Sequence, residues 1–251
     1  MALPIRVVVP ADCQAPTTWA TALKKALEIG KKAQPPASEY ILVTHTKQQL
    51  SQTALRSHIG VDNAKALLAN KVINITEGCD LRHATLHTLP NSAQQAVVIA
   101  YFAEEKMMEK IDSLAGLIGI VVVPESSNAV DTWSKRWTHA VHGQPPTAPV
   151  KLISDRVVEK ALQGLSGTVN LSIGVMHPLD KDQANETLRI LRNKGHALEP
   201  DKIKSWAIQN GWKPTAADEL AKLAAKIQAL KSKPPIKSFP DADGKYQRWS
   251  T

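Results

Sequence analysis

Cysteine is scarce in this chain of 251 residues, which carries only Cys13 and Cys79. Two cysteines exclude the disulfide framework of small secreted domains, so we expect a reducing, cytoplasmic environment. Long apolar runs are absent too, since every run falls far below the roughly 18–20 residues that span a bilayer. The first residues, MALPIRVVVP, lack the charged start and long apolar region of a signal peptide. We therefore expect no membrane association.

The glycine patterns of nucleotide-binding sites are missing as well. The first apolar run is followed by PADCQAPTT instead of G-x-G-x-x-G, and no G-x-x-x-x-G-K-[ST] occurs. There is no G-x-S-x-G motif for an esterase-type serine. The pairs His83/His87 and His139/His142 lack the glutamate of H-E-x-x-H and the acidic or thiol neighbours of a metal site. These absences predict neither a cofactor nor a metal.

What the sequence does contain is five short runs rich in Val and Ile in its first 125 residues. Most are apolar on both faces, which is typical of parallel strands that are covered by helices on either side. Strands alternating with helical stretches predict an α/β fold, with a five-stranded, doubly wound parallel sheet of Rossmann-like or flavodoxin-like type. The runs are IRVVV (5–9), YILVT (40–44), VINIT (72–76), AVVIAYF (96–102) and GIVVV (119–123).

Composition and helical periodicity divide the chain into four parts. Residues 1–142 are predicted to form the α/β domain, in which 78–94 is a short helix or an irregular loop and 128–141 is a helix. The segment GQPPTAPV (143–150) is predicted to be a proline-rich linker. Residues 151–231 show a short amphipathic helix at 156–165 and three longer helices, and the three longer helices predict a trihelical, helix-turn-helix-like domain. The charged, aperiodic tail 232–251 is expected to be extended or disordered.

Ligands of open parallel sheets bind outside the carboxyl ends of the strands, so polar residues that follow each run are candidate site residues. Asp12, Cys13, His45 and Glu77 carry the acid, base and nucleophile types that hydrolysis or group transfer requires. Under this hypothesis His45 is the base that activates the Cys13 thiol. The other interpretation of Cys13 is a buried, inert thiol.

One stretch of the helical domain resembles a known family. In IKSWAIQNGW (203–212), residues Ile203, Trp206, Ala207, Asn210 and Gly211 match the I-x-x-W-A-x-x-N-G stretch in the DNA-binding domain of actinobacterial nucleoid-associated silencers. The resemblance covers roughly 30 residues and implies a helical DNA-binding scaffold. The R-G-R segment with which that family contacts DNA is replaced here by KPTAADELAK. The resemblance therefore implies the scaffold and a basic surface, not minor-groove recognition.

Positive charge is concentrated in the second part of the chain. The net charge is +2 over residues 1–150 and +6 over residues 151–251, out of a total of +8. A basic surface attracts polyanions, and contacts to phosphate give affinity without sequence preference. The candidate nucleic-acid-binding residues are Arg189, Arg192, Lys202, Lys204, Lys222, Lys226 and Lys233.

Two functional hypotheses follow from these patterns. The first is a cytosolic, non-enzymatic regulatory protein, in which the α/β domain senses a ligand or self-associates and the helical domain contacts nucleic acid or a protein partner. The second is a hydrolase or transferase that acts on a nucleotide-like or small polar substrate at the strand ends. The second hypothesis requires the side chains of Asp12, Cys13, His45 and Glu77 to converge on one open pocket.

Overall fold

The computed structural model describes residues 4–144 and 147–251, and the chain divides into two compact units, Met1–Pro149 and Val150–Thr251. Two residues of the predicted linker, Pro145 and Pro146, lie outside the described residues. Within the described ranges, no helix has the length and apolar character needed to cross a membrane. The first unit is an α/β unit, and the second is helical.

The strands of the α/β unit form one mixed, mostly parallel sheet. They are β1 (Ile5–Val8), β2 (Glu39–Thr44), β3 (Ile73–Thr76), β4 (Cys79–Thr85), β5 (Ser92–Ala103), β6 (Ala115–Pro124) and β7 (Ala140–Val141). Their order across the sheet is β3-β4-β2-β5-β6-β1-β7, and only the pairing of β3 with β4 is antiparallel among the described pairings. The predicted runs all contain strands, but the predicted count of five is wrong by two.

The helices of this unit connect the strands and cover them. They are α1 (Pro16–Lys32), α2 (Lys47–Gln52), α3 (Leu55–Ile59), α4 (Val61–Leu68), α5 (Glu105–Asp112) and α6 (Asp131–Arg136). Leu42 of β2 and Ile99 of β5 share a buried cluster with side chains of α1–α4. Their neighbours Ile41 and Val98, which point to the opposite face, are fully buried as well. The prediction that the central strands are buried on both faces is therefore confirmed.

Two predictions for local structure in this unit are wrong. Residues 79–85, within the segment assigned to a helix or loop, form β4, which pairs with β2 along its whole length. The predicted helix over 128–141 is shorter, because α6 spans only Asp131–Arg136 and the chain then enters β7. Strand β4 is rich in polar residues and β7 has only two residues, so neither shows a clear strand pattern in the sequence. Pairing with neighbouring strands fixes both of them in the sheet.

The helical unit contains five α-helices within its described residues, where the sequence predicted a short helix at 156–165, three longer helices and a tail. They are α7 (Arg156–Ser166), α8 (Pro178–Asn193), α9 (Pro200–Gln209), α10 (Pro214–Gln228) and α11 (Ala242–Ser250), with a short 3-10 helix at Gly174–Met176. Proline occupies the first turn of α8, α9 and α10, where no hydrogen bond is lost. The interpretation of residues 232–251 as extended or disordered is wrong for α11, which contacts α7 and α8.

Candidate functional site

The strand order decides which polar side chains meet at the carboxyl edge of the sheet. Across that edge the neighbours β2, β5, β6 and β1 are followed by His45, Glu104, Glu125 and Asp12 in turn. The edge thus carries three acidic residues and one histidine. No group of three or more His, Cys, Asp or Glu residues that could hold a metal ion occurs in the part of the chain that the structure describes.

His45, which the sequence predicted as a site residue, lies next to Glu104 at this edge. The Nε2 atom of His45 lies 3.3 Å from Oε1 of Glu104, and the backbone N–H of His45 donates to Oε1 of Gln49 over 2.7 Å. The Nε2 atom is buried, and its geometry with Glu104 falls short of a hydrogen bond. Among the described contacts, His45 thus adjoins a carboxylate and not Cys13, the nucleophile predicted for it.

Cys13 and His45, the predicted nucleophile and base, follow strands that are not neighbours in the sheet. Strands β1 and β2 are three inter-strand spacings apart, about 14 Å at ~4.8 Å each, because β5 and β6 lie between them. The Cys13 thiol is buried, and burial, reinforced by the Asp12 charge, raises its pKa. The hydroxyl of Tyr101 donates to the Cys13 carbonyl oxygen over 2.9 Å, which anchors the loop. The buried, inert thiol is thus the interpretation that the surroundings of Cys13 favour.

The remaining two predicted catalytic residues lie in different parts of the unit, Asp12 in the loop after β1 and Glu77 in the turn between β3 and β4. Asp12 accepts a hydrogen bond from the backbone N–H of Gln14 over 2.9 Å, which is an Asx turn and serves the loop. Glu77 lies in the turn between β3 and β4, and β3 runs antiparallel. The prediction that Glu77 follows a parallel strand is therefore wrong. The adjacent Cys79–Asp80 end of β4 lies beside Glu39, where β2 begins, whereas His45 follows the other end of β2.

The His83/His87 pair is not on a helix, since His83 lies in β4 and His87 in the turn after it. The Thr44 hydroxyl donates to the Thr46 carbonyl oxygen over 2.9 Å and lies 2.8 Å from Nε2 of His83. Burial, together with the nearby Lys47 charge, lowers the pKa of His83 to about 4. His83 is therefore a neutral, hydrogen-bonded core residue.

Three of the predicted nucleic-acid-binding lysines are paired with carboxylates of their own unit. Lys202 lies 2.6 Å from Glu199 and Lys204 lies 3.3 Å from Asp218. Lys222 contacts both Asp218, at 2.9 Å, and Glu219, at 2.8 Å. A phosphate must compete with these carboxylates, which reduces what the three lysines contribute to polyanion binding.

The other predicted basic residues differ from these. On α8, the Nε–H of Arg189 donates to Asn185 over 3.0 Å, and Arg192 is half-buried. Lys226 and Lys233 are exposed and take part in no ion pair among the described residues. The sequence around them contains no Asp or Glu from residue 220 to residue 240, and this stretch also holds exposed Lys231 and Lys237, which the prediction missed. We call residues 226–237 the lysine segment.

A histidine-centred chain of hydrogen bonds ties three parts of the helical unit together. Nδ1 of His196, in the loop after α8, lies 2.6 Å from Oδ2 of Asp155, and Nε2 lies 3.1 Å from the Tyr246 hydroxyl on α11. Asp155 also caps α7 by accepting from the N–H groups of Val157 and Val158. Burial opposes ionisation of Asp155, but the His196 and backbone hydrogen bonds outweigh it and lower its pKa.

The lowered pKa of Asp155 predicts acid-sensitive stability of the helical unit. A carboxyl with a depressed folded pKa stabilises the fold above its unfolded pKa, and that contribution is lost as pH falls through the folded value, here below the ordinary 3.8. Asp155→Asn keeps the cap and removes the charge, so urea unfolding should show a loss of at most about 1 kcal/mol at neutral pH. Asp155→Ala should cost about 1 kcal/mol more. If Asp155→Asn lost as much stability at acidic pH as the unaltered protein does, this assignment would be wrong.

Comparison with known proteins bears only on the helical unit. No curated protein and no solved structure matches the chain significantly. The model of one family, described as Domain of unknown function (DUF1889), matches residues 154–250. That range begins just before α7 and ends with α11, so the helical unit, from its first helix to its last, is the part of the chain that is similar to this family.

Proposed function

We propose that the protein is a non-enzymatic, regulatory binding protein whose helical unit contacts the phosphates of nucleic acid and whose α/β unit binds a ligand or self-associates. The observation that carries the proposal is the lysine segment, with Lys226, Lys231, Lys233 and Lys237 exposed and without ion pairs among the described residues. Free ammonium groups bind phosphate and release counterions, which is the main source of sequence-independent affinity.

The lysine segment is held in place on the helical unit. Pro234 is buried, and Nδ2 of Asn193, at the end of α8, donates to its carbonyl oxygen over 2.9 Å. This anchor fixes the backbone between Lys233 and Lys237. The segment therefore loses less conformational entropy on binding than a flexible basic tail would lose. Arg192 precedes Asn193 in the chain, so the anchor also brings the segment beside the basic end of α8.

The proposal extends to the α/β unit and to the compartment. We infer a doubly wound, Rossmann-like sheet, which is supported by the burial of Ile41 and Leu42 on opposite faces of β2. The free thiols of Cys13 and Cys79 favour a reducing compartment such as the cytoplasm. The hydrolase or transferase hypothesis is less well supported, because Glu77 lies in the turn beside the start of β2 and His45 follows the end of β2.

Two triple variants of equal charge test the nucleic-acid contact. In fluorescence titrations of labelled duplex DNA, K226Q/K231Q/K233Q should reduce the magnitude of the negative slope of log K against log salt by about 2–3. K202Q/K204Q/K222Q removes the same charge from ion-paired lysines and should reduce that magnitude by less than about 1. Equal losses would assign binding to the overall charge instead of the segment. No binding of the unaltered protein at about 50 mM salt would refute the nucleic-acid contact.

A further inference from the structure

On one face of the sheet, the start of β1 and the edge strand β7 are only partly covered. Helix α1 connects β1 to β2 and crosses the intervening strands β6 and β5, against which it packs. Its approach to β6 is close, because a Cβ atom at Gly119 would lie 2.4 Å from Cγ2 of Ile29. Strand β1 and the short edge strand β7 lie beyond α1 on this face. Between them and α1 is a cavity of about 250 Å³.

The floor of this cavity is apolar, and of its residues Ile5 is exposed whereas Val7 and Ile29 are buried. Ile5 and Val7 of β1, Ala140 of β7 and Ile29 of α1 line it. Ile5 is 51% exposed, which is unusual for a β-branched residue inside a seven-stranded sheet. An apolar ligand that covered Ile5 would remove this surface from water.

The rim of the cavity is polar and carries a positive charge. Lys25 and Lys32 extend from α1, and His142 and Gln144 follow β7. Nζ of Lys25 is 2.8 Å from Oε2 of Glu28 and is neutralised by it. Lys32 is exposed and has no ion pair among the residues that the structure describes. A ligand with one negative charge beside an apolar body therefore complements the cavity.

We propose that this cavity binds a small monocarboxylate with a short apolar chain, the chain on Ile5 and Val7 and the carboxylate at Lys32. The volume is just below the ~300–1,000 Å³ of pockets for drug-sized ligands, which suits a molecule of the size of octanoate. The inference rests on the ligand-binding half of the proposed function and is independent of the lysine segment. The proposed ligand site of the α/β unit is therefore not the carboxyl edge of the sheet that the sequence predicted, since the cavity lining contains none of the edge residues.

Methyl chemical shifts of the full chain, titrated with octanoate, test this site directly. We expect saturable shifts at Ile5, Val7 and Ile29 with a dissociation constant on the order of 1 mM. Val72 is 54% exposed and lies outside the cavity, so its methyl groups should not shift. Uniform shifts, or none in the millimolar range, would overturn the proposal, whatever the DNA titration shows.

Variants and a neutral ligand separate the charge from the apolar contact. Lys32→Glu should weaken octanoate binding about fivefold or more, and Lys31→Glu, at a neighbouring exposed lysine outside the cavity, should leave it nearly unchanged. Octanol should bind more weakly than octanoate to the unaltered protein. Equal binding of octanol and octanoate, or equal effects of the two lysine variants, would overturn the assignment of the carboxylate to Lys32.

Discussion

Replacing Asp112 by alanine is expected to lower the free energy of unfolding of the α/β unit by about 3–5 kcal/mol. Asp112 lies at the end of α5 with its side chain 2% exposed, and Arg6 of β1, 5% exposed, is its buried cationic neighbour at 3.7 Å. The indole Nε1–H of Trp137 donates to Oδ2 of Asp112 over 3.0 Å. The alanine variant leaves a buried guanidinium without its counter-charge and a buried indole N–H without its acceptor.

The environment of Asp112 supports a large effect. Burial raises the pKa of Asp112 and outweighs the opposing effect of Arg6, while burial lowers the pKa of Arg6. The Arg6 guanidinium also stacks 3.8 Å from the centre of the Trp137 ring. Each group is therefore tolerated in the interior only because the others are present, and removal of one exposes the desolvation cost of the rest.

Two control variants separate charge from hydrogen bonding at Asp112. Asp112→Asn keeps an acceptor for Trp137 and removes the charge, so urea unfolding should show a smaller loss than for alanine. The double variant R6M/D112L removes both charges and should recover much of the stability, since apolar replacement of a buried pair is often neutral. A cost below about 1 kcal/mol for Asp112→Ala would show that the pair does not stabilise the fold.

Gly116→Ala is expected to destabilise the same unit by about 3–5 kcal/mol. Gly116 lies at the start of β6 with φ +83°, and a Cβ atom there would lie 1.8 Å from the Ala93 carbonyl oxygen of β5. Besides the left-handed backbone, worth about 1–2 kcal/mol, the substitution must push apart two paired strands. Both effects act on the backbone, which cannot relieve the contact by rotating as a flexible side chain could.

A matched glycine isolates the steric part of this prediction. Gly78, in the turn between β3 and β4, has φ +70°, and a Cβ atom there would meet nothing within 4 Å. Gly78→Ala should therefore cost only about 1–2 kcal/mol in the same unfolding measurement. If the two variants lost equal stability, contact with Ala93 would not contribute.

The strands that sequence reasoning found and missed differ in what fixes them. YILVT and GIVVV are apolar on both faces, so burial alone selects a central parallel strand. Strand β4 contains Arg82 and His83, which no periodicity would place in a core. They are accommodated because Arg82 pairs with Glu39 and His83 bonds Thr44, both on the neighbouring strand β2. Those partners are far away in the sequence and become visible only in the folded sheet.

The candidate sites show the same division. The polar residues after each run were predictable, and His45 and Glu104 do adjoin one another. The predicted set of four residues is divided by topology, because β3 is antiparallel to β4 and Glu77 lies in the turn between them, next to the end of β4 that is beside the start of β2. For the basic surface, the absence of acids from 220 to 240 was available in the sequence, but the neutralisation of Lys204 by Asp218 required the packing of α9 against α10.

By itself the sequence determined the class of the fold, since apolar runs buried on both faces require helices around a mostly parallel sheet. It also determined that charge is uneven and that phosphate-cradling glycines are absent. The tertiary structure alone decided the order of the strands, and with it the exposure of Ile5 at the start of β1, the cavity beside α1 and the position of Glu77 in the β3–β4 turn. The reason is physical: burial depends on composition within a run, whereas neighbours in a sheet depend on crossovers that join distant parts of the chain.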